Sequence, residues 1–309
     1  MENHTAKIIS FINMKGGVAK TTLTINIGKQ LADIGNKVLV IDMDPQFNAT
    51  QSLLLYKTRY YQATNNSNQE EVVKEEIKSS EFYNKLSQDR KTTLQMFESS
   101  NIAEPNKNES LVQEICSNLY LIPGDLTMAK EISGDTSNKV GAVWNHLKKN
   151  NIFNDYQYVL IDCPPTWSIL THSSLFASDY YIIPSKVDLY SSIGIKLLEN
   201  QIKEKILQDS VYQMTEKQLK RLGVIFTLVH KNVKGERDQK DSLKRQFDDV
   251  DFFDNDLPYM PSVPTRFIMI DEAKKDPKYS ELINSIEKIT AEIIDKLHVW
   301  VVEEVIIYG

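Results

Sequence analysis

At 309 residues with 41% hydrophobic and 25% charged side chains, the chain holds enough apolar material for a sizeable core and lacks the bias of a disordered or fibrous protein. Its 36 Lys and Arg against 42 Asp and Glu leave a net charge of −6. That balance excludes a uniformly basic surface and confines any contact with nucleic acid or anionic lipid to a local patch. The two cysteines, Cys116 and Cys163, fall in no CxxC or Cys/His spacing, so a disulfide framework is excluded and a reducing compartment is expected. No apolar segment of signal-peptide length precedes the first glycines, and no run of about 18 apolar residues occurs, so a cytoplasmic protein without a membrane partner is expected.

The first element is a buried strand at Lys7 to Asn13, KIISFIN. After a glycine-rich loop, Leu23, Ile27, Leu31 and Ile34 recur on one face of a helix, which Gly35 ends. Lys37 to Asp42, KVLVID, is a second apolar run, and strand, loop, helix and strand together make a βαβ unit.

The loop between them, NMKGGVAKTT from Asn13 to Thr22, carries the first chemistry. A nucleotide phosphate needs backbone N–H groups aimed at it, a cation, and an oxygen ligand for Mg²⁺. Here the turn Lys15, Gly16, Gly17, Val18 and Ala19 supplies the first, Lys20 the second and Thr21 the third, with Thr22 beside them. The ordinary phosphate-loop pattern wants glycines where this chain has Met14 and Ala19. The variant KGGxGK[ST] does match, with Lys15 added and its third glycine replaced by Ala19. A negative φ at Ala19 makes that replacement cheap, whereas a positive one costs about 1 kcal/mol. The bland alternative is a glycine turn flanked by surface lysines.

The second strand ends in VIDMDPQFNAT, which puts Asp42 and Asp44 at its C-terminal end, where ligands bind in open α/β sheets. From Lys57 to Arg90 the chain turns polar and charged, without glycine or proline. It reads as an insertion, helical around Glu70 to Leu86 with an Asn/Ser-rich lead-in. Ser99 to Ser110 reads as a loop. Short apolar runs then recur at Tyr158 to Asp162, Tyr180 to Pro184 and Leu222 to Val229, separated by helix-length segments. The expected fold is therefore α/β, a doubly wound, mostly parallel sheet with helices on both faces, in one domain over 1–309.

His230 to Arg245 carries six Lys or Arg against three Asp or Glu, either a solvated mixed-charge helix or a basic patch. Leu282, Ile286, Ile289, Ile293 and Leu297 mark a last amphipathic helix. The apolar tail from about 298 to 309, HVWVVEEVIIYG, has Glu303 and Glu304 but no lysine or arginine. A terminal strand or packing segment suits it better than a membrane helix.

With these motifs in place, the loop resembles the deviant Walker A group of P-loop ATPases, whose signature is the extra lysine. The run DMDPQFNAT, the segment IDCPP and the stretch NLYLIPGDLTMA are most similar to ParA-type, Soj-like partition ATPases. That resemblance runs to about Ala273 outside the insertion. It implies an ATPase with ATP and Mg²⁺ as cofactors, in which Lys20 binds phosphate in cis and Lys15 reaches the nucleotide of a second subunit. It further implies that Asp44 orients the attacking water, while Asp42 and Asp162 support Thr21 around Mg²⁺.

The family pattern implies a homodimer formed on ATP binding, non-specific double-stranded DNA as its support, nucleoid association, and a ParB-like centromere-binding activator. DNA contacts are then expected at Lys244, Arg245 and Arg266. The chain opens at the ATPase domain without a helix-turn-helix extension, which argues against operator-specific repression. Thr227 and Asn232 are both candidates for the adenine contact. A MinD-like spatial regulator shares the ATP site but ends in a basic amphipathic helix, and a reductase-like iron protein needs paired cysteines; neither feature is present in this sequence.

Overall fold

The computed structural model describes residues 6–62, 69–98, 110–132, 139–188, 190–215, 217–230, 233–247, 250–261 and 268–308. Among them, eight strands form one sheet in the order β3-β4-β2-β5-β1-β6-β7-β8. The strands are β1 (Lys7–Phe11), β2 (Val38–Asp42), β3 (Gln113–Cys116), β4 (Leu119–Ile122), β5 (Tyr158–Asp162), β6 (Tyr180–Lys186), β7 (Lys220–Val229) and β8 (Leu257–Pro258). Every neighbouring pair is parallel except β3 with β4, an antiparallel edge.

Parallel strands are covered on both faces, which is why they read as continuous apolar runs. In β1, Ile8 enters one core, and Ile9 and Phe11 enter the other. The core on the second face also takes Leu23, Ile27 and Leu31 of α1 (Lys20–Asp33) and Ile286, Ile289 and Ile293 of the C-terminal helix Ser280–Tyr308. The helix Ile169–Ala177 covers the opposite face through Leu170 and Leu175. The register sets Asp42 beside Asp162 and Phe11 beside Asp162. The phosphate-type loop and two carboxylates thus emerge together at the C-terminal ends of three central strands.

Two sequence expectations need correction. The tail from about 298, expected as a strand or packing segment, continues the C-terminal helix to Tyr308. Neither glycine nor proline interrupts Ser280–Tyr308, and once nucleated a helix gains a bond per added residue. The polar segment from Lys57 is not separate at its start: Lys57 to Gln62 finish α2 (Asn48–Gln62), and α3 (Gln69–Gln88) follows. The Asn/Ser lead-in at 63–68 lies outside the described residues, as does the expected loop at 99–109. No helix among the described residues is long and apolar enough to cross a membrane.

β7 carries two irregularities that matter below. Its pairing with β6 skips Leu222, and its pairing with β8 skips Leu228; extra residues of this kind re-aim side chains near functional sites. At the first, Gly223 has φ 147, and a Cβ there would meet the Asp251 carbonyl oxygen at 2.8 Å and the Phe253 ring at 3.1 Å. Gly223→Ala is therefore expected to destabilise the fold by at least ~2 kcal/mol, readable as a lower urea midpoint without a change in slope.

Candidate active site

The loop after β1 has a backbone shape set by sign alternation. Gly17 and Ala19 have φ of 67° and 60°, while Val18 between them is not among the positive-φ residues. Such alternation turns successive N–H groups toward one point and makes an anion-binding nest. Ala19 is the N-cap of α1 and no side chain caps it, so the first-turn N–H groups remain for an anion. The expensive arm of the Ala19 alternative is the one realised. From β7, the Thr227 hydroxyl donates to the Val18 carbonyl at 3.0 Å and pins the loop.

Lys20 and Thr21 open α1 at the end of this nest. The Lys20 ammonium is buried and donates to the Asn13 carbonyl at 3.2 Å. Burial lowers its pKa, while Asp162 and Asp44 pull in the other direction. The Thr21 hydroxyl donates to Asp162 Oδ2 at 2.6 Å. The other oxygen, Asp162 Oδ1, is buried without any hydrogen-bond partner. Burial raises the Asp162 pKa well above the usual carboxylate range, and neighbouring Asp42 raises it further.

Asp42 is fully buried and its oxygens are engaged. Oδ2 accepts from the Thr50 backbone N–H at 2.8 Å and from the Thr50 hydroxyl at 2.7 Å, and Oδ1 accepts from the Asp44 N–H at 3.2 Å. Desolvation pushes its pKa up to about 7 against those hydrogen bonds. A divalent cation fits this arrangement: it would neutralise the carboxylate pair and satisfy the orphaned Asp162 oxygen. Among the described residues no three or more His, Cys, Asp or Glu side chains are grouped to cage a metal. A cation here would draw most of its ligands from water and phosphate, which is the Mg²⁺ pattern.

Asp44, bonded to Asp42 through its N–H, has a different side-chain setting. It lines a cavity of 610 Å³ together with Gly16 to Thr22. Its Oδ1 accepts from the Gln46 N–H at 3.0 Å. Burial raises its pKa, opposed by that hydrogen bond and by Lys20. The lining of the same cavity also includes the apolar Leu228, Leu257, Pro258 and Met260. Leu228 is the extra residue of the second β7 irregularity, with φ 56. A lining that joins a polar, cationic loop to apolar side chains suits an amphipathic ligand with a phosphate chain and a planar ring.

Lys15 does not line that cavity. Its backbone N–H donates to Asn13 Oδ1 at 2.9 Å, and its half-exposed ammonium pairs with Asp188 in the turn after β6. Burial alone would raise the Asp188 pKa, but hydrogen bonds from Lys15 and Ser191 outweigh it and hold the carboxyl below its ordinary value. The two loop lysines therefore occupy different environments. Lys186, at the end of β6, was missed by sequence reasoning: its Nζ would lie 3.9 Å from a Cβ placed on Gly17. The run YYIIPSK reads only as a strand, and nothing in its spacing points across the sheet to the loop.

The remaining sequence candidates disperse. Thr227 is engaged with the loop, and Asn232 lies outside the described residues, as does Arg266. Lys244 and Arg245 sit in the last turn of the helix Lys234–Gln246, with Arg245 exposed. Three nearby cations are neutralised locally: Lys240 by Asp256 at 2.5 Å, Lys274 by Glu287 at 3.8 Å and Lys278 by Asp276 at 2.5 Å. Cys116 and Cys163 are free and buried, and desolvation pushes their thiols up to about 11 and about 12.

A model of the AAA_31 family, described as an AAA domain, matches residues 6–219. The chain belongs to this family and is a P-loop ATPase of the ParA/Soj/MinD type. It is 29% identical over 197 residues to the sporulation initiation inhibitor protein Soj of Bacillus subtilis, covering 64% of this chain and 65% of Soj. It is 27% identical over 276 residues to the chromosome partitioning protein ParA of Caulobacter vibrioides, covering 88% of this chain and 85% of that one. A solved plasmid partition protein of Borrelia burgdorferi B31, bound to AMPPNP, superposes with a TM-score of 0.66 at 20% identity over 94% of this chain and 99% of that one. At that identity the likeness concerns the fold alone. Family membership carries ATP-dependent partitioning or spatial regulation as the general function.

In this ATPase the left-handed Ala19 is a correctable strain. Ala19→Gly is expected to stabilise the fold by about 1 kcal/mol, raising the melting temperature by roughly 2 °C in calorimetry.

Proposed function

We propose that this ATPase is a DNA-partition switch, loaded by ATP and reset by hydrolysis. The observation that carries the reading is that the two loop lysines occupy separate environments: Lys20 buried at the nest, and Lys15 half-exposed and paired with Asp188 outside the cavity. In this reading the N–H groups of Gly16 to Thr22 and the Lys20 ammonium hold the phosphates, and the base lies against Leu228, Pro258 and Met260. Thr21 and Asp162, with Asp42 behind them, hold Mg²⁺, whose chemistry is to neutralise phosphate charge. Asp44 accepts a hydrogen bond from the attacking water and orients it.

Lys15 exchanges Asp188 for the phosphates bound by a second subunit. Charge spread over a transferring phosphoryl group needs cations on more than one side, so a lysine delivered in trans ties turnover to a homodimer. Dimerisation also doubles any basic patch. Lys244, Arg245 and Arg266 are assigned to the DNA face, where paired patches raise the number of phosphate contacts and make binding steeply salt dependent. A ParB-like activator would trigger hydrolysis and release from the nucleoid.

The test is binding of random-sequence double-stranded DNA in ADP and in ATP with Mg²⁺, repeated across salt. Binding only with ATP, weakening steeply between about 50 and 200 mM salt, is the expected result. No binding in either state would remove DNA as the support and leave a protein or lipid partner for the same switch.

A further inference from the structure

The charged insertion reaches the candidate hydrolytic turn. Helix α3 has few apolar residues, yet Ser79, Tyr83 and Leu86 are buried at helical spacing. Arg59 of α2 holds its outer half through Glu75 at 3.0 Å. The key contact is Tyr83, whose ring centroid lies 4.9 Å from that of Phe47 at an interplanar angle of 34°. Phe47 immediately follows Gln46 in DMDPQFNAT, and its φ is 44°, a left-handed conformation for an aromatic residue. Such a conformation persists only where the surroundings over-determine it.

Phe47 also closes the turn that carries Asp44. Its N–H donates to the Asp44 carbonyl at 2.8 Å, while Asp44 Oδ1 accepts from Gln46. The other side of Tyr83 is anchored to the end of the β4 segment: its hydroxyl donates to the Gly124 carbonyl at 3.4 Å and accepts from the Leu126 N–H at 3.3 Å. Gly124 in turn donates to the Thr50 hydroxyl at 2.7 Å, and Thr50 donates to Asp42. One ring therefore clamps the strained end of the Asp44 turn while its hydroxyl grips the chain that braces Asp42.

We propose that Tyr83 is a positioning residue for hydrolysis, so that α3 is part of the mechanism for aiming Asp44 and not an appended arm. This rests on the reading in which Asp44 orients water. Tyr83 does not line the cavity; it acts through Phe47. A helix anchored on the turn also gives whatever engages α3 a direct route to the turnover rate.

The test compares Tyr83→Ala, Tyr83→Leu and Tyr83→Phe by steady-state ATP hydrolysis, nucleotide affinity and amide hydrogen exchange. Loss of the ring is expected to lower kcat by about 10- to 100-fold through misplacement of Asp44, with ATP affinity held within about threefold. The Gln46 and Phe47 amides should exchange about tenfold faster. Tyr83→Phe keeps the stack and should restore both readouts most of the way. If the alanine variant fails to fold, the leucine variant fills the volume without the ring and is read by the same criteria. Unchanged exchange at Gln46 and Phe47, or equal loss of kcat and affinity, would overturn the proposal. Wild-type turnover in Asp44→Ala would instead remove the role of Asp44, while the exchange result would still report on the clamp.

Discussion

The site is organised around a pair of carboxylates that the fold buries side by side. Parallel pairing of β2 with β5 sets Asp42 against Asp162, both without solvent contact. Desolvation makes that arrangement costly for two negative charges, and the surrounding residues are deployed to contain it. Thr50 and the Asp44 N–H satisfy Asp42, Thr21 satisfies one oxygen of Asp162, and the buried Lys20 lies in the field of Asp162 and Asp44. What remains is one unpartnered oxygen and a surplus of negative charge, which a cation bound with phosphate would complete. The site is therefore shaped for a cation held together with phosphate.

From that constraint the division between the two lysines follows. Lys20 is buried in the field of Asp162 and Asp44 and donates to the loop carbonyl of Asn13, the setting that the proposed reading gives to a cation for the subunit's own nucleotide. Lys15 is held outside the cavity by Asp188, a contact between half-exposed groups that costs little to exchange. The two loop lysines are thus one buried cation and one half-exposed one. Tyr83 and Phe47 connect the Asp44 turn to helix α3.

Much of this was legible in the sequence because the central strands are buried on both faces. Lys7 to Asn13, Lys37 to Asp42 and Tyr158 to Asp162 announce themselves as apolar runs, and the aspartates that end the last two mark the ligand-binding end of the sheet. The β3–β4 hairpin and the two-residue β8 were too short to show a period. Backbone sign was also out of reach: Ala19, Phe47 and Leu228 are ordinary residues in left-handed conformations, and nothing in their identity declares it. Thr227 and Asn232 were both candidates for an adenine contact; Thr227 is engaged with the loop and Asn232 lies outside the described residues, while Leu228, the extra residue of a β7 bulge, lines the cavity. Tyr83 and Lys186 escaped because their importance lies in contacts across long sequence separations, which periodicity does not encode.

The measurement that bears most directly on the two-lysine account is sedimentation of the Asp44→Ala protein with Mg²⁺ and ATP, with and without Lys15→Ala in the same chain. The account predicts an ATP-dependent dimer in the first and a nucleotide-bound monomer in the second. A dimer of equal affinity in both would show that Lys15 has no task across the interface and would contradict the account.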